Sequence, residues 1–250
     1  MTLRLGLPSK GRLMDQTADW LAGHGLALRR DGTGRGYAAR LEGATGVDVV
    51  LLSAGEIAGS LAAGKVHLGV TGMDVVRESL PAWDRAVAEL APLGFGRADL
   101  VVAVPAAWID VETLDDLDAA AAAFRRVHGH RLRIATKYHR LTRAFLQAAG
   151  VADYQLVDSQ GATEGVVRNL AAEAIADITT TGETLRANHL RPLSDGLILR
   201  SQAVLYASRS APWDEGARAA LGALCAALGL PDRTPPAAAE PSADRSRPGR

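Results

Sequence analysis

Four threonines lie within six residues of the segment DITTTGETL, residues 177–185, and an acidic residue, Asp177, precedes them by two positions. A buried-type run ends near Asp177, and a helical pattern begins after Gly182. Backbone N–H groups at such a strand-to-helix turn lack helical partners, and the helix dipole adds positive charge. Threonine hydroxyls add donors, and glycine lets the backbone close around an anion. The segment predicts a phosphate site with Asp177 beside it, facing sugar hydroxyls, although a threonine-capped helix start is the simpler alternative.

Other predicted strand-to-helix turns also carry groups that could contact an anion. They are Lys10, Gly11 and Arg12 in LPSKGRL, Gly72 and Asp74 in GVTGMD, Lys137 in ATKYHRLTR, and Glu164 in GATEGVV. Taken singly, each turn has a structural explanation: a solvated helix start, a helix cap at Asp74, a solvated basic face, or an acid complementing a helix dipole. Because ligands of open α/β folds collect at the carboxyl ends of strands, one polyanionic ligand would explain these turns together.

Short β-type runs alternate with helical patterns along the chain, which predicts an α/β fold with largely parallel sheets. The alternation restarts near residue 95, where TLDDLDAAAAAFRRVHG predicts a helix that Thr113 and Asp116 could cap. We therefore expect two α/β lobes. We assign residues 1–92 and 180–230 to lobe I and residues 93–179 to lobe II. The glycine- and arginine-rich stretch RRDGTGRGYAARLEGATG predicts an edge hairpin or a mobile loop. Residues 231–250 are rich in proline and are expected to be disordered.

Composition and charge exclude several classes of protein. Lys and Arg together number 28, as do Asp and Glu, so no overall field would attract nucleic acid or an anionic membrane. The single cysteine, Cys225, lies in an apolar helical pattern and excludes an internal disulfide. His128 and His130 lack convincing partner ligands for a metal site. We find neither a signal-type segment nor an apolar run of about 18 residues, and we therefore expect a cytoplasmic protein.

Five segments between residues 3 and 208 resemble, in order, the ATP phosphoribosyltransferase family of histidine biosynthesis. They read LGLPSKGRL, GVTGMDVV, FGRADLVVAVP, IATKYHRLTRAFL and EGVVRNLAAEAIADITTTGETLRANHL. The last is the most specific, because its positions match the spacing of the family signature at Glu164, Asp177, Thr181, Gly182, Thr184 and Leu185. Leu170 departs from the signature, which usually has glycine there. The resemblance implies two α/β lobes of the periplasmic-binding-protein type II fold, with the active site in the cleft.

The resemblance also implies a reaction. The phosphoribosyl group of 5-phosphoribosyl 1-pyrophosphate would pass to N1 of ATP, releasing pyrophosphate, with Mg²⁺ chelated by the substrate. Asp177 and Glu164 would be the catalytic carboxylates beside the ribose, stabilising positive charge as carboxylates do in glycoside hydrolysis. The 5′-phosphate would lie on the Thr180 to Thr184 loop. The substrate-binding residues implied are Lys10, Gly11, Arg12, Gly72, Asp74, Arg97, Lys137, Thr179, Thr180, Thr181, Gly182, Glu183 and Thr184.

The family resemblance further implies a partner. The pattern of ordered elements stops near residue 230, as in the short form of the family. That form assembles as a homo-oligomer with a separate regulatory subunit resembling histidyl-tRNA synthetase, without nucleic acid or membrane.

Two other functions remain open from the sequence. Salvage-type phosphoribosyltransferases have a similar threonine-glycine loop, but two adjacent acids precede theirs, whereas Ala176 stands in one of those places here. A non-catalytic two-lobe solute-binding protein would also fit the pattern of elements, although such proteins are usually exported.

Overall fold

The structure is a computed structural model that describes residues 2–30, 38–159, 163, 165–168, 171–231 and 235. The strands are β1 Leu3–Pro8, β2 Ala27–Arg30, β3 Ala38–Glu42, β4 Val47–Leu52, β5 Leu68–Gly72, β6 Val87–Pro92, β7 Ala98–Pro105, β8 Leu132–Thr136, β9 Tyr154–Asp158, β10 Ala174–Thr179, β11 Leu190–Ser201 and β12 Ala203–Ser208. The helices are α1 Arg12–Gly23, α2 Ala54–Ala62, α3 Met73–Ser79, α4 Trp83–Ala86, α5 Leu114–His128, α6 His139–Ala148, α7 Gly165–Arg168, α8 Glu183–Ala187 and α9 Glu215–Ala227.

The chain divides into two compact units. The first unit comprises Met1–Phe95 and Ala203–Arg250, and the second comprises Gly96–Gln202. Each unit contains one mixed sheet with helices packed against it. The predicted fold class, two α/β lobes, is therefore confirmed.

The sheet of the first unit has the strand order β2-β3-β4-β1-β5-β12-β6. At its centre β1 pairs in parallel with β4 and β5, so the carboxyl ends of these three strands lie at one edge. Alternate side chains of the sheet pack into two cores, one with α1 and α9 and the other with α2. Helix α2 approaches β5 so closely that a Cβ at Gly69 would lie 2.6 Å from Ile57 Cγ2. Both faces of β5 are covered, as expected for a central parallel strand.

The sheet of the second unit has the order β11-β7-β10-β8-β9. Strand β10 pairs in parallel with β8 and antiparallel with β7, and β8 pairs in parallel with β9. One face packs against α5 and α6 through Leu117 and Leu146, and the other packs against α8 through Leu185. The carboxyl ends of β8, β9 and β10 therefore lie together at one edge, where the threonine-rich loop begins.

Several local predictions can be compared with the structure. Helix α5 begins as predicted, because Thr113 and Asp116 form a reciprocal capping box. Strands β2 and β3 pair antiparallel at the end of the first sheet, as an edge hairpin would, although residues 31–37 lie outside the described residues. The predicted disorder of residues 231–250 concerns a segment of which only Pro231 and Pro235 are described. No helix in the described part of the chain is long and apolar enough to cross a membrane.

The second boundary between the units differs from our prediction. We assigned residues 180–230 to the first lobe, whereas the structure keeps the chain in the second unit until Gln202. The reason is the pairing of β11, which runs antiparallel to β7 from Leu190 opposite Pro105 to Ser201 opposite Ala98. Only after Ser201 does the chain enter the first sheet, where Ala203 pairs with Gly72.

Candidate active site

The loop after β10 is shaped by its own threonines and by Gly182. The Gly182 N–H donates to Thr179 Oγ1 at 2.9 Å, which closes the turn. Gly182 caps α8 with φ of 72°, in the left-handed region that favours glycine. A Cβ at this position would also lie 3.0 Å from Arg186 Nη1. The loop therefore needs glycine at residue 182 for its backbone conformation, whereas the Arg186 side chain could move to make room for a Cβ.

Three hydroxyl groups of the loop face solvent, on Thr180, Thr181 and Thr184. The Glu183 N–H donates to Thr181 Oγ1 at 3.4 Å, so the oxygen accepts and the hydroxyl proton stays available for a ligand. Helix α8 spans only five residues, shorter than the helical pattern of residues 183–190, because the chain turns at His189 with a positive φ of 56°. Hydroxyl donors therefore contribute more to this site than a helix dipole does.

Arg97 lies beside this loop, as the resemblance implies. Thr180 Oγ1 donates to the backbone carbonyl oxygen of Arg97 at 3.5 Å, and the Arg97 side chain is exposed. The contact follows from the antiparallel pairing of β10 with β7, in which Thr179 lies opposite Asp99. Asp99 is exposed and was missed by the sequence reasoning. Its position two residues after Arg97 in FGRADL was the available signal.

Asp177 lies near the carboxyl end of β10 and is half-buried. Its Oδ1 accepts a hydrogen bond from the Ile178 N–H at 2.8 Å. The parallel register pairs Ala176 with Thr136, and Lys137 is the first residue after β8, so Lys137 and Asp177 lie at the same edge of the sheet. Lys137 is exposed. The second unit thus brings a carboxylate, a cationic residue and the threonine loop to one edge of its sheet.

The turn that carries Lys137 is held by a buried hydroxyl. Thr136 is fully buried, and its Oγ1 accepts the Tyr138 N–H at 2.9 Å. At the start of α6, His139 Nε2 lies 2.7 Å from Asp158 Oδ1 at the end of β9. These contacts fix the geometry of the edge where the predicted site residues collect.

Glu164, the second predicted catalytic carboxylate, lies outside the described residues, as does Leu170. Its neighbour Thr163 is buried, and Ser159 Oγ donates to Thr163 Oγ1 at 2.6 Å. Ser159 directly follows β9, so Thr163 is held at the same edge as Lys137. The role of Glu164 stays a prediction.

In the first unit, Lys10, Gly11 and Arg12 form an exposed turn between β1 and α1. Gly11 caps α1 with a positive φ of 78° and no side-chain cap. The turn therefore presents two cationic side chains to solvent at the carboxyl edge of the first sheet.

Asp74 is mostly withdrawn from solvent, with only 6% of its surface exposed. Its carboxylate folds back towards the start of α3. Asp74 Oδ1 lies so close to Gly72 that a Cβ built on this glycine would be 2.4 Å from it. This placement agrees with the helix-start explanation of Asp74. Contact of Asp74 and Gly72 with substrate stays a prediction.

A further turn at this edge of the first sheet joins β4 to α2. Ser53 caps α2, the Ser53 N–H donates to Glu56 Oε2 at 2.8 Å, and the Glu56 N–H donates to Ser53 Oγ at 3.4 Å. The hydrogen bonds from the Ser53 side chain and backbone hold the pKa of Glu56 below its usual value. The pattern S-x-x-E in LLSAGEI was the signal for this cap, and the turn is closed by its own carboxylate.

Metal ligands are not clustered in the described residues. No group of three or more His, Cys, Asp or Glu side chains there is arranged to hold a metal ion.

The chain is similar in sequence to a known family of enzymes. The family model of HisG, ATP phosphoribosyltransferase, matches residues 53–228. An ATP phosphoribosyltransferase of Cereibacter sphaeroides is 66% identical over 231 residues, which are 92% of this chain and 98% of that protein. An ATP phosphoribosyltransferase of Mesorhizobium japonicum is 54% identical over 84% of this chain and 90% of its own length.

Solved structures agree on the fold. The ATP phosphoribosyl transferase (HisG:HisZ) complex from Thermotoga maritima has a TM-score of 0.60 at 20% identity, covering 82% of this chain and 87% of that chain. The GluR0 ligand binding core complex with L-glutamate has a TM-score of 0.50 at 10% identity, covering 88% of this chain and 90% of that chain. The family match and the high identity to relatives along most of the chain show that this protein belongs to the ATP phosphoribosyltransferase family.

Proposed function

We propose that this chain transfers the phosphoribosyl group of 5-phosphoribosyl 1-pyrophosphate to N1 of ATP and releases pyrophosphate, the first step of histidine biosynthesis. The observation that carries the proposal is the 66% identity to an ATP phosphoribosyltransferase over 98% of that protein's length. The arrangement of threonine hydroxyls, Asp177 and Arg97 around one loop supports the same reaction.

In this proposal the loop of residues 179–184 binds the 5′-phosphate. Thr181 and Thr184 are exposed and can each donate a hydroxyl proton to a phosphate oxygen, and Thr180 can do so in exchange for its 3.5 Å contact with the Arg97 carbonyl oxygen. Hydrogen bonds to an ionised phosphate are charge-assisted and about twice as strong as neutral ones. Arg97, whose backbone accepts from Thr180, is near enough along the sheet to add a cationic side chain.

The chemistry requires no nucleophilic side chain, because N1 of adenine attacks C1 of the ribose. The bond from N1 to C1 forms as the bond from C1 to the pyrophosphate oxygen breaks, and positive charge develops on the ribose. Asp177 stands directly before the phosphate loop, where a carboxylate would face the ribose and stabilise that charge. We assign Glu164 the same role by resemblance.

The leaving pyrophosphate needs its charge neutralised. We assign this role to Mg²⁺ bound to the substrate, which keeps several waters and needs few protein ligands. Lys10, Arg12 and Lys137 are exposed cationic residues at strand ends and are assigned to the pyrophosphate and ATP. Gly11, Gly72 and Asp74 belong to the same turns.

We further propose that the chain works with a regulatory subunit. The Thermotoga maritima structure that shares this fold is described as a HisG:HisZ complex. The corresponding partner here would be a protein resembling histidyl-tRNA synthetase, bound to a homo-oligomer of this chain in the cytoplasm. Histidine feedback would then act outside this polypeptide.

The alternatives are not favoured. A salvage-type enzyme would use a nucleobase as acceptor, and a solute-binding protein would bind without turnover. The curated relatives that match most of this chain are ATP phosphoribosyltransferases, which agrees with neither alternative.

The direct test is a spectrophotometric assay of ATP plus 5-phosphoribosyl 1-pyrophosphate with Mg²⁺, run on the chain alone and with the candidate regulatory subunit. Product formation that requires both substrates is expected, with faster turnover when the partner is present. The matched control is Asp177→Asn, which should retain binding while losing most turnover. Consumption of a free nucleobase instead of ATP, or binding without product in both preparations, would overturn the proposed function.

A further inference from the structure

One cavity of the second unit lies away from the threonine loop. It has a volume of about 490 Å³ and lies between α6 and the edge strand β9. A cavity of this size is large enough for a small metabolite. The lining side chains used below are Arg131, Arg143, Gln147, Val151, Tyr154 and Gln155.

Two arginines of this cavity differ from the arginines around it. Arg125 pairs with Asp153 at 2.5 Å, and Arg133 pairs with Glu173 at 2.5 Å. Arg131 and Arg143 line the cavity, and neither forms an ion pair with an acidic residue in the described parts of the chain. Both arginines are exposed residues that line one cavity, and no acidic residue is among those lining it, which favours an anionic ligand.

Tyr154 lies near one of these guanidinium groups, that of Arg143. Burial raises the pKa of the Tyr154 phenol, and the positive charge of Arg143 acts in the opposite direction. The Arg143 guanidinium is therefore close enough to the phenol to affect it. The Tyr154 hydroxyl, like any tyrosine hydroxyl at neutral pH, is protonated and can donate a hydrogen bond to the same ligand that Arg143 binds.

The rest of the cavity lining includes both polar and apolar side chains. Gln147 lies one helical turn after Arg143 on α6, and Gln155 follows Tyr154 on β9. Their carboxamides can both donate and accept hydrogen bonds, as recognition of hydroxyl groups requires. Val151, 4% exposed, supplies an apolar wall. The cavity therefore suits a small organic molecule that carries an anion, better than a bare ion.

The cavity and the threonine loop lie at opposite ends of the second sheet. Arg131 precedes β8, whereas Lys137 follows it, and Tyr154 begins β9. The five residues of β8 separate Arg131 from Lys137, a distance of about 20 Å. A ligand in the cavity would therefore leave the proposed phosphate loop free.

We propose that this cavity is a second anion site that binds a phosphate monoester. Arg131 and Arg143 contact the dianionic phosphate, Tyr154 donates to it, and the two glutamines bind the hydroxyl groups of the ester. Two forked cations match the charge and the oxygen geometry of a phosphate dianion better than those of a single carboxylate.

The test is a titration of ¹⁵N-labelled protein with ribose 5-phosphate and, separately, with inorganic phosphate, at constant ionic strength. Backbone amide shifts of Val151, Ala152 and Gln155 report the cavity, and those of residues 180–184 report the loop. We expect saturable shifts at the cavity amides, with ribose 5-phosphate binding more tightly than inorganic phosphate. The double variant Arg131→Gln with Arg143→Gln should weaken binding at these amides by at least about tenfold.

The matched control is Arg126→Gln, which removes an exposed arginine of α5 that does not line the cavity. This variant should bind as the unchanged protein does, and shifts in the 180–184 loop should survive in all three proteins. The site is contradicted by non-saturating shifts at the cavity amides up to about 10 mM ligand, or by equal losses in the control. Equal affinity for inorganic phosphate and ribose 5-phosphate would contradict the proposal that the ligand is a phosphate ester.

Discussion

The β4–α2 turn of the first unit and the β10–α8 turn of the second unit join a strand to a helix in chemically different ways. The β4–α2 turn is closed by Glu56, whose carboxylate accepts the Ser53 N–H while the Ser53 hydroxyl accepts the Glu56 N–H. The β10–α8 turn has a glycine cap, without a side-chain cap on that residue, and its internal contacts use threonine hydroxyls. In the β4–α2 turn, the Glu56 carboxylate accepts the free backbone N–H, so the chain itself supplies the anion. The β10–α8 turn instead leaves threonine hydroxyl protons available for an external anion.

The largest expected effect is on turnover, from replacing Asp177, the acid before the threonine loop, rather than Glu56, the acid in the α2 cap. Asp177→Asn should lower kcat by about 100-fold or more with a smaller change in KM, because its charge acts mainly in the transition state. Steady-state kinetics with both substrates varied would measure this split. Equal losses in kcat and in substrate affinity would instead assign Asp177 to ground-state positioning.

Thr181→Val should weaken binding of 5-phosphoribosyl 1-pyrophosphate by about 1.5–3 kcal/mol, because it removes a charge-assisted hydrogen bond from an exposed hydroxyl. Calorimetric titration measures the change. The matched control is Ser53→Ala, which removes the hydroxyl of the closed turn and should leave affinity intact. Unchanged affinity in Thr181→Val would remove this residue from the site.

Gly182→Ala should destabilise the loop by about 1 kcal/mol, because alanine is strained at a positive φ. The added Cβ would also press on Arg186. Affinity for 5-phosphoribosyl 1-pyrophosphate should fall more than the unfolding temperature does. Gly129→Ala, at another left-handed helix end remote in sequence, is the control and should change stability alone.

The smallest expected effect is at the closed turn. Glu56→Gln should lower the unfolding temperature slightly above pH 5 without changing catalysis, because only the cap is affected. Since hydrogen bonds from Ser53 lower the pKa of folded Glu56, its contribution is present above the unfolded pKa and is lost as pH falls through the folded pKa. Thermal unfolding from pH 7 to pH 3 should show the two proteins converging in acid. A constant difference across this range would contradict the charge argument.

The sequence predicted those features that depend on neighbouring residues. The alternation of strands and helices and the α5 capping box are local patterns, and both are present in the structure. The threonine cap considered for the helix after the loop is absent, because Gly182 occupies the cap position without a side-chain cap. The short length of α8 was missed because the left-handed turn at His189 does not appear in helical periodicity.

Features that depend on strand pairing could not be predicted from local sequence patterns. Residues 190–208 read as two consecutive β runs, yet β11 pairs in the second sheet and β12 in the first. The approach of Asp99 to Thr179 also depends on antiparallel register. The burial of Asp74 depends on how its carboxylate folds back over Gly72. The periodicity of apolar residues shows which face of each strand is buried, but it does not show which strands pair with each other.

The most direct measurement of the central claim is the change in backbone amide shifts when 5-phosphoribosyl 1-pyrophosphate is added to ¹⁵N-labelled protein with Mg²⁺ and without ATP. We expect the largest changes at Thr180, Thr181 and Thr184, together with a smaller change at Arg97, and no change at Ser53 and Glu56 in the closed turn. Saturable binding that leaves residues 180–184 unchanged would contradict the assignment of the threonine loop to the 5′-phosphate.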